Sequence, residues 1–319
     1  LLAQGAEGIA VGLSTKILPH NFNELIDSSI KHLKGKRFKL YPDFQTGGYV
    51  DVKNYNDGNR GGRIKVRAKL EKLDKNSIVI KEIPYGTTTA SVIESIIKAS
   101  DKGKIKLKKI EDNTSSDVEI IVYLKTGSSV SKTIDALYAF SQCEVSISPL
   151  SCIISNNKPE FIGVSDILKT STENTRELLK EELEIELDEL NNQWHNISLE
   201  KIFIENRIYR DIEDKTSWES VLSTIGEGLK PYVKKLKKDI SLDDIKKLTE
   251  IPIKKISKFD LNKVNEKLKN INTNIDEVKN NLEHLTDYAI KYFEHLKKEY
   301  GSERKRKTKV QEFDDLDKK

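Results

Sequence analysis

Apolar positions recur along this chain with two different periods. From position 63 to 70 they alternate, with Ile64, Val66, Ala68 and Leu70 on one side and Arg63, Lys65, Arg67 and Lys69 on the other. A period of two predicts a half-buried strand with a basic outer face. Residues 77–82, 118–124 and 145–154 read as further strands, the first of them stopped by Pro84. Residues 91–99 and 130–141 carry helical spacing instead. This strand–strand–helix–strand–helix–strand order over residues 35–165 predicts a compact α+β domain. Nearer the start, Phe22, Leu25, Ile26 and Ile30 predict a helix. Asn21 stands where an N-cap would, and Glu24, three residues on, would complete a capping box.

Beyond residue 166 the period lengthens. Leu179, Leu183, Leu187, Leu190, Trp194 and Ile197, followed by Ile204 and Ile208, predict one long helix over 171–212. Shorter helical pieces follow over 216–258, punctuated by Gly226, Gly228, Pro231 and Pro252. Then Leu261, Val264, Leu268, Ile271, Ile275, Val278, Leu282, Leu285, Ala289, Tyr292 and Leu296 step by threes and fours without a break. A helix over 260–299 would be roughly 60 Å long at a rise of 1.5 Å per residue. Its stripe needs a partner, and the first long helix running back antiparallel supplies one. Each core leucine or isoleucine in the seam would contribute roughly 1.5–3 kcal/mol on burial. The expected fold is therefore α+β: a small mixed α/β domain, then an antiparallel coiled-coil stalk with a helical tip at 216–258. Trp218, Val221, Leu222, Ile225, Leu229, Ile251, Ile253 and Ile256 give that tip enough apolar surface to seat a second copy. A self-contained helical cap is the alternative.

Composition narrows the function classes. The chain has 319 residues, enough for two or three domains. Its 55 basic and 51 acidic residues leave a net charge of +4. That balance argues against a uniformly basic nucleic-acid wrapper but allows a local basic surface. The candidates for such a surface are Lys16, the run Lys34, Lys36, Arg37 and Lys39, and the group Arg60, Arg63, Lys65 and Arg67. A solvated charged face is the bland alternative. Cys143 and Cys152 lack metal-ligand spacing and fit two thiols in a reducing cytosol. Gly5, Gly8 and Gly12 match neither the dinucleotide fingerprint nor the phosphate loop, and read as tight packing. His32, His195, His284 and His295 are scattered, so no metal site is indicated. The apolar runs are too short for a transmembrane helix, and no secretion signal opens the chain. The apolar start Leu1-Leu2-Ala3, without an initiator methionine, is expected of a fragment of a larger protein.

The stretch Gly8-Ile9-Ala10-Val11-Gly12-Leu13-Ser14-Thr15-Lys16-Ile17-Leu18-Pro19-His20-Asn21 resembles the segment that follows the catalytic-tyrosine region in the A subunits of bacterial type IIA DNA topoisomerases. Further segments stand in that family's order: Pro42-Asp43-Phe44 to Gly47-Gly48, Gly61-Gly62-Arg63, Glu82-Ile83-Pro84-Tyr85, and the closing basic stretch from Arg304 to Val310. The resemblance covers essentially the whole chain. Lys16-Ile17-Leu18 is closer to topoisomerase IV A subunits than to gyrase A, and the gyrase alternative stays open.

The resemblance implies an architecture. Residues 1–30 would end a winged-helix DNA-gate domain, 31–170 form a "tower" domain, 171–310 form the coiled-coil stalk and C-gate dimer interface, and 311–319 a mobile acidic tail. It also implies an activity. Two A subunits would grip duplex DNA, cleave both strands through a phosphotyrosine and rejoin them. ATP and Mg2+ would be used by the full enzyme, both mainly through a B subunit, in a complex of two A and two B chains. None of the 11 tyrosines stands in the family's catalytic context; Tyr209, followed by Arg210, matches only superficially and falls on the expected stalk. The chain is thus expected to hold and bend DNA rather than cut it. By the same resemblance Ile17 would be the wedge between base pairs, although an isoleucine in an apolar run is ordinarily a core residue. Such wedges kink a duplex by about 20–90°. A non-cleaving coiled-coil DNA clamp, or a helical scaffold with no nucleic-acid role, are the competing readings.

Overall fold

The computed structural model describes residues 1–155, 157–257 and 259–314. Two compact units emerge: residues 1–173 together with 290–319, and residues 174–289.

In the first unit an N-terminal hairpin pairs β1 (Ala6–Ala10) with β2 (Leu13–Ile17). Helix α1 (Phe22–Leu33) follows. Its N-cap is Asn21, whose side chain accepts from the backbone N–H of Asn23 and Glu24. Glu24 does not close the expected capping box. Both its carboxylate oxygens accept from Arg306, each at 2.6 Å. The chain then gives β3 (Tyr49–Asn54), β4 (Arg63–Arg67), β5 (Lys69–Lys72), β6 (Ser77–Glu82), α2 (Thr89–Asp101), β7 (Leu107–Asp112), β8 (Ile120–Leu124), α3 (Val130–Phe140), β9 (Glu144–Ile147), β10 (Cys152–Ser155) and β11 (Lys158–Phe161).

The strand expected over 63–70 proves to be two. β4 lies between β3 and β9, whereas β5 pairs with β6 in a separate sheet ordered β5-β6-β8-β7. The switch falls at Ala68, fully buried, whose N–H donates to the Cys143 carbonyl and whose own carbonyl accepts from the Tyr138 hydroxyl at 2.9 Å. The strand expected over 145–154 is likewise divided, at Ser148-Pro149-Leu150. Proline cannot donate to a ladder, and Leu150 bridges instead to Lys16, with N···O distances of 2.7 and 3.0 Å.

Each sheet has its own core. Ile64, Val66, Val50, Phe44, Leu40, Leu18, Ile17 and Leu2 pack in the first, with Val164, Ile167 and Leu168 from the start of α4 (Val164–Glu205). Residues before and after position 30 share this core. The second core joins Ile78, Ile80, Ile120 and Val122 to Val92 and Ile96 of α2 and Leu137 of α3.

In the second unit the later part of α4 is followed by α5 (Trp218–Leu229), α6 (Leu242–Thr249), α7 (Ile253–Ser257), α8 (Leu261–Glu283) and the start of α9 (Leu285–Tyr300). The unbroken helix expected over 260–299 is interrupted at His284 (φ −113°, ψ 43°). Leu179 and Leu183 of α4 are buried, as are Ile271, Ile275 and Val278 of α8. Leu268 shares a pocket wall with Trp194, Ser198 and Ile202, while the Tyr288 hydroxyl is held above its ordinary range by burial and then by Glu182 and Glu186. α4 ascends as its partner descends, which is the antiparallel pairing expected from the heptads. The tip has a core of its own: Leu199, Ile202, Phe203, Ile204, Ile208, Ile225, Leu229 and Leu248. Tyr209 stacks edge-on against Phe203 there, at 6.2 Å between ring centres.

The closing basic stretch belongs to the first unit. β12 (Lys309–Val310) extends the first sheet parallel to β3, giving the order β12-β3-β4-β9. Asn21 and Asn23 both donate to the Arg304 carbonyl at 3.0 Å. Of the expected mobile tail, the Gln311 and Phe313 N–H groups are fixed to the Val50 carbonyl and the Asp51 carboxylate; residues 315–319 lie outside the described residues. Among the described residues no helix is long and apolar enough to cross a membrane.

Candidate nucleic-acid interface

The N-terminal hairpin turns through Val11-Gly12, where Gly12 takes φ +77°, a left-handed value that glycine adopts without steric cost. This turn carries the largest apolar exposure in the first unit: Ile9 is 91% and Val11 104% exposed. Burial of apolar area is worth about 25 cal/mol per Å2, so two such side chains held in water are a cost that a binding surface recovers. The hairpin is anchored behind the turn. Thr15 donates to the Cys152 carbonyl at 3.0 Å and accepts from the Cys152 N–H at 3.2 Å, and Lys16 pairs with Leu150.

Ile17 stands apart from this exposed pair. It lies at the base of β2, 3% exposed, inside the first core. A side chain packed that way cannot enter a duplex without leaving its own core. The exposed apolar residues of this hairpin are Ile9 and Val11, which sequence reading passed over. Their signal was there in outline: an apolar pair flanked by Gly8 and Gly12, at a turn where apolar residues have nothing to pack against.

Lys16 and Arg60 are brought together. An open groove beside the hairpin is lined by Glu7, Ile9, Ser14, Thr15, Lys16, Arg60 and Gly61, with Ser148, Pro149 and Leu150. Lys16 sits across the hairpin from Glu7, 2.9 Å from its carboxylate, and remains about one-third exposed. Arg60 and Arg63 are exposed, flanking Gly61-Gly62. The loop that holds them is tightly built. A Cβ at Gly62 would collide with the Tyr55 carbonyl and lie 3.0 Å from that of Asn59. The Asp57 carboxylate accepts from the Ser165 N–H and hydroxyl.

Arg67 is engaged within the fold. Its Nε lies 2.6 Å from the Glu144 carboxylate, and its guanidinium covers the rings of Tyr138 (4.7 Å) and Phe313 (4.2 Å). Only 11% of its side chain is exposed. Lys65 is half-buried between Asp51 on β3 and Ser146 on β9. Of the three cations on β4, Arg63 is exposed and Lys65 and Arg67 are partly buried. Lys34, Lys36, Arg37 and Lys39 are exposed just after α1, but none of them lines the groove.

His20 is buried beneath this surface, its Nε2 3.1 Å from the Tyr55 hydroxyl. Desolvation lowers its pKa to about 4, although the Leu2 and Leu18 carbonyls act in the opposite sense. It is a neutral packing residue at the start of α1. Burial also pushes the Tyr55 and Tyr138 hydroxyls up, the direction that makes a phenol a poorer nucleophile. No group of three or more His, Cys, Asp or Glu side chains converges as a metal site among the described residues.

Residues 1–294 match the family of DNA gyrase/topoisomerase IV A subunits. Similar curated proteins include the A subunit of DNA topoisomerase 4 from Borreliella burgdorferi, 38% identical over 310 residues, spanning 97% of this chain and 49% of that protein. The DNA gyrase A subunit of Brachyspira hyodysenteriae is 25% identical over 99% of this chain and 40% of its own length. That of Helicobacter pylori is 26% identical over 98% and 39%. The chain spans about half or less of the length of these relatives. It belongs to the family of DNA gyrase/topoisomerase IV A subunits.

Proposed function

We propose that this chain is the gripping, bending and dimerising part of an ATP-dependent type II DNA topoisomerase A subunit. The observation that carries the reading is the hairpin turn with Ile9 and Val11 in water, beside a groove bearing Lys16 and Arg60. Cations hold the phosphates while apolar side chains unstack a base step. The kink costs a few kcal/mol, offset by contacts that only a bent duplex can reach. Ile9 and Val11 take the wedge role; Arg63 and the cations at positions 34, 36, 37 and 39 add phosphate contacts outside the groove.

The second unit supplies the dimer contact. Its tip exposes Trp218 (56%), Leu242 (57%) and Ile253 (82%) beyond its own core, and Leu222, Val233, Ile240, Leu242 and Ile245 line an apolar groove there. A second copy at the C-gate is the proposed occupant. The nucleophilic tyrosine is proposed to lie outside this chain. Mg2+ and ATP are proposed to be held mainly by a B subunit, in a cytoplasmic complex of two A and two B chains. Strand passage would then change DNA topology and unlink chromosomes.

The test uses the full A subunit with its B subunit, Mg2+, ATP and duplex DNA, stopped with denaturant. A covalent DNA adduct mapping to a tyrosine outside residues 1–319 supports the reading. DNA bound and bent with no adduct would favour a non-cleaving clamp instead.

A further inference from the structure

The second unit contains a pocket that none of these roles uses. It has a volume of about 260 Å3 and lies between α4 and α8, closed on a third side by Tyr232 and Lys235. Trp194 and Ser198 are four residues apart on α4 and therefore share a face; Leu268 of α8 stands opposite. Two polar groups at this face are buried without a hydrogen-bond partner: the indole Nε1–H of Trp194 and the hydroxyl of Ser198, a residue only 6% exposed. Buried polar groups are paired in the great majority of cases, and an exception in a cavity points to something that fills it. The other polar neighbours are already satisfied. The Tyr232 hydroxyl donates to Asn206 Oδ1 at 2.9 Å, and the Asn206 amide donates to the Ile202 carbonyl at 2.9 Å.

The charge around the pocket is positive. Lys201 and Lys235 line it, and neither is held by a carboxylate among the described residues. Lys237 lies 4.8 Å over the Trp194 ring with its Nζ donating to Asn272 Oδ1, and Lys238 donates to Asn192 Oδ1. Glu205 is the one opposing charge at the wall. Two unmet donors flanked by two ammonium groups fit a compact ligand rich in acceptor oxygens. Tetrahedral oxyanions match because their oxygens point in several directions at once, whereas a carboxylate offers only two.

We propose that the pocket formed by Trp194, Ser198, Lys201 and Lys235 binds a tetrahedral oxyanion of the phosphate type. Trp194 Nε1 and the Ser198 hydroxyl donate to it, and the two lysines neutralise it. A free phosphate and a phosphate of a duplex share this chemistry, and the test separates the two sources.

Trp194 is its own reporter once the second tryptophan is removed by Trp218→Phe. Inorganic phosphate is titrated into the full chain at constant ionic strength against chloride, with indole emission and thermal midpoint as readouts. The expected result is a saturable emission change with a raised midpoint. Affinity should fall by about tenfold or more in Lys201→Ala/Lys235→Ala, through loss of charge-assisted hydrogen bonds, and rise in Glu205→Gln. The lysines and Glu205 are not core residues, so these variants keep the test valid even where Ser198→Ala weakens the fold. Competition by a short duplex would assign the site to a DNA phosphate; saturation by phosphate with no effect of duplex would assign it to a free phosphate. A response no different from chloride, or one unchanged in the double-lysine variant, would overturn the proposal and leave ordinary waters as the pocket's contents.

Discussion

Ile17→Ala and Ile9→Ala separate packing from recognition within one hairpin. Ile17 is 3% exposed and touches the core that includes Leu2, Leu18 and Leu25. Truncation removes three carbons, worth about 0.8 kcal/mol each from transfer alone, and the residual cavity adds to that, so a loss of about 3 kcal/mol is expected. For a unit of about 200 residues, each kcal/mol moves Tm by roughly 2–4 °C, giving a drop of roughly 6–12 °C. Ile9, at 91% exposure, has no core contact to lose; its variant should keep Tm within the range of surface substitutions, about 0.5 kcal/mol. The order reverses in a bending assay, where a duplex labelled at both ends reports end-to-end distance by energy transfer on binding the A subunit. Ile9→Ala should straighten the bound duplex more than it weakens binding. If Ile17→Ala left Tm unchanged while abolishing the bend, and Ile9→Ala did neither, the inference from burial would be refuted and the wedge would return to Ile17.

Other consequences follow from the same contacts. Arg67→Ala should cost about 3–5 kcal/mol in denaturant unfolding by stranding Glu144, while leaving the salt dependence of DNA binding unchanged; a lowered salt slope with normal stability would make Arg67 a phosphate contact after all. Arg60→Ala should weaken binding to all sequences alike and reduce the slope of log K against log salt by about one. His20 supplies a pH signature. Its folded pKa of about 4 lies below the unfolded value of 6.5, so the unfolded chain takes up the proton first. Its contribution to stability is therefore constant above pH 6.5 and falls as pH drops toward 4, by up to about 3 kcal/mol. Unfolding at pH 7 and 4.5 should show that loss in the native chain and less of it in His20→Gln; equal losses in both would remove His20 as the cause.

Much of this architecture could be read from local pattern, because local pattern is what helices and caps depend on. The Asn21 cap, α3, β6 and the antiparallel seam through Leu183 and Ile275 all follow from spacing along a single element. What local spacing does not reveal depends on partners far away in sequence. The alternation over 63–70 is the same whether one sheet or two receives it, and only the Cys143 and Tyr138 contacts to Ala68 reveal the switch. Arg67 looks like its neighbours until Glu144, 77 residues later, takes it. Glu24 looks like a capping-box residue until Arg306, 282 residues later, claims its carboxylate. Ile9 and Ile17 are the same residue type in one apolar stretch, and only the hairpin register puts one at the turn and the other in the core.

Whether the hairpin turn meets duplex DNA is tested most directly by a site-directed cross-link. In the full-length protein, with Cys152→Ser removing the more accessible native thiol, a photoactivated cross-linker would be placed at Val11→Cys and, as a control, at Leu178→Cys, both largely exposed. The predicted result is a duplex adduct from position 11 that disappears at high salt, and little or none from position 178. Equal adducts from both positions, or none from position 11 on a duplex known to be bound, would contradict it.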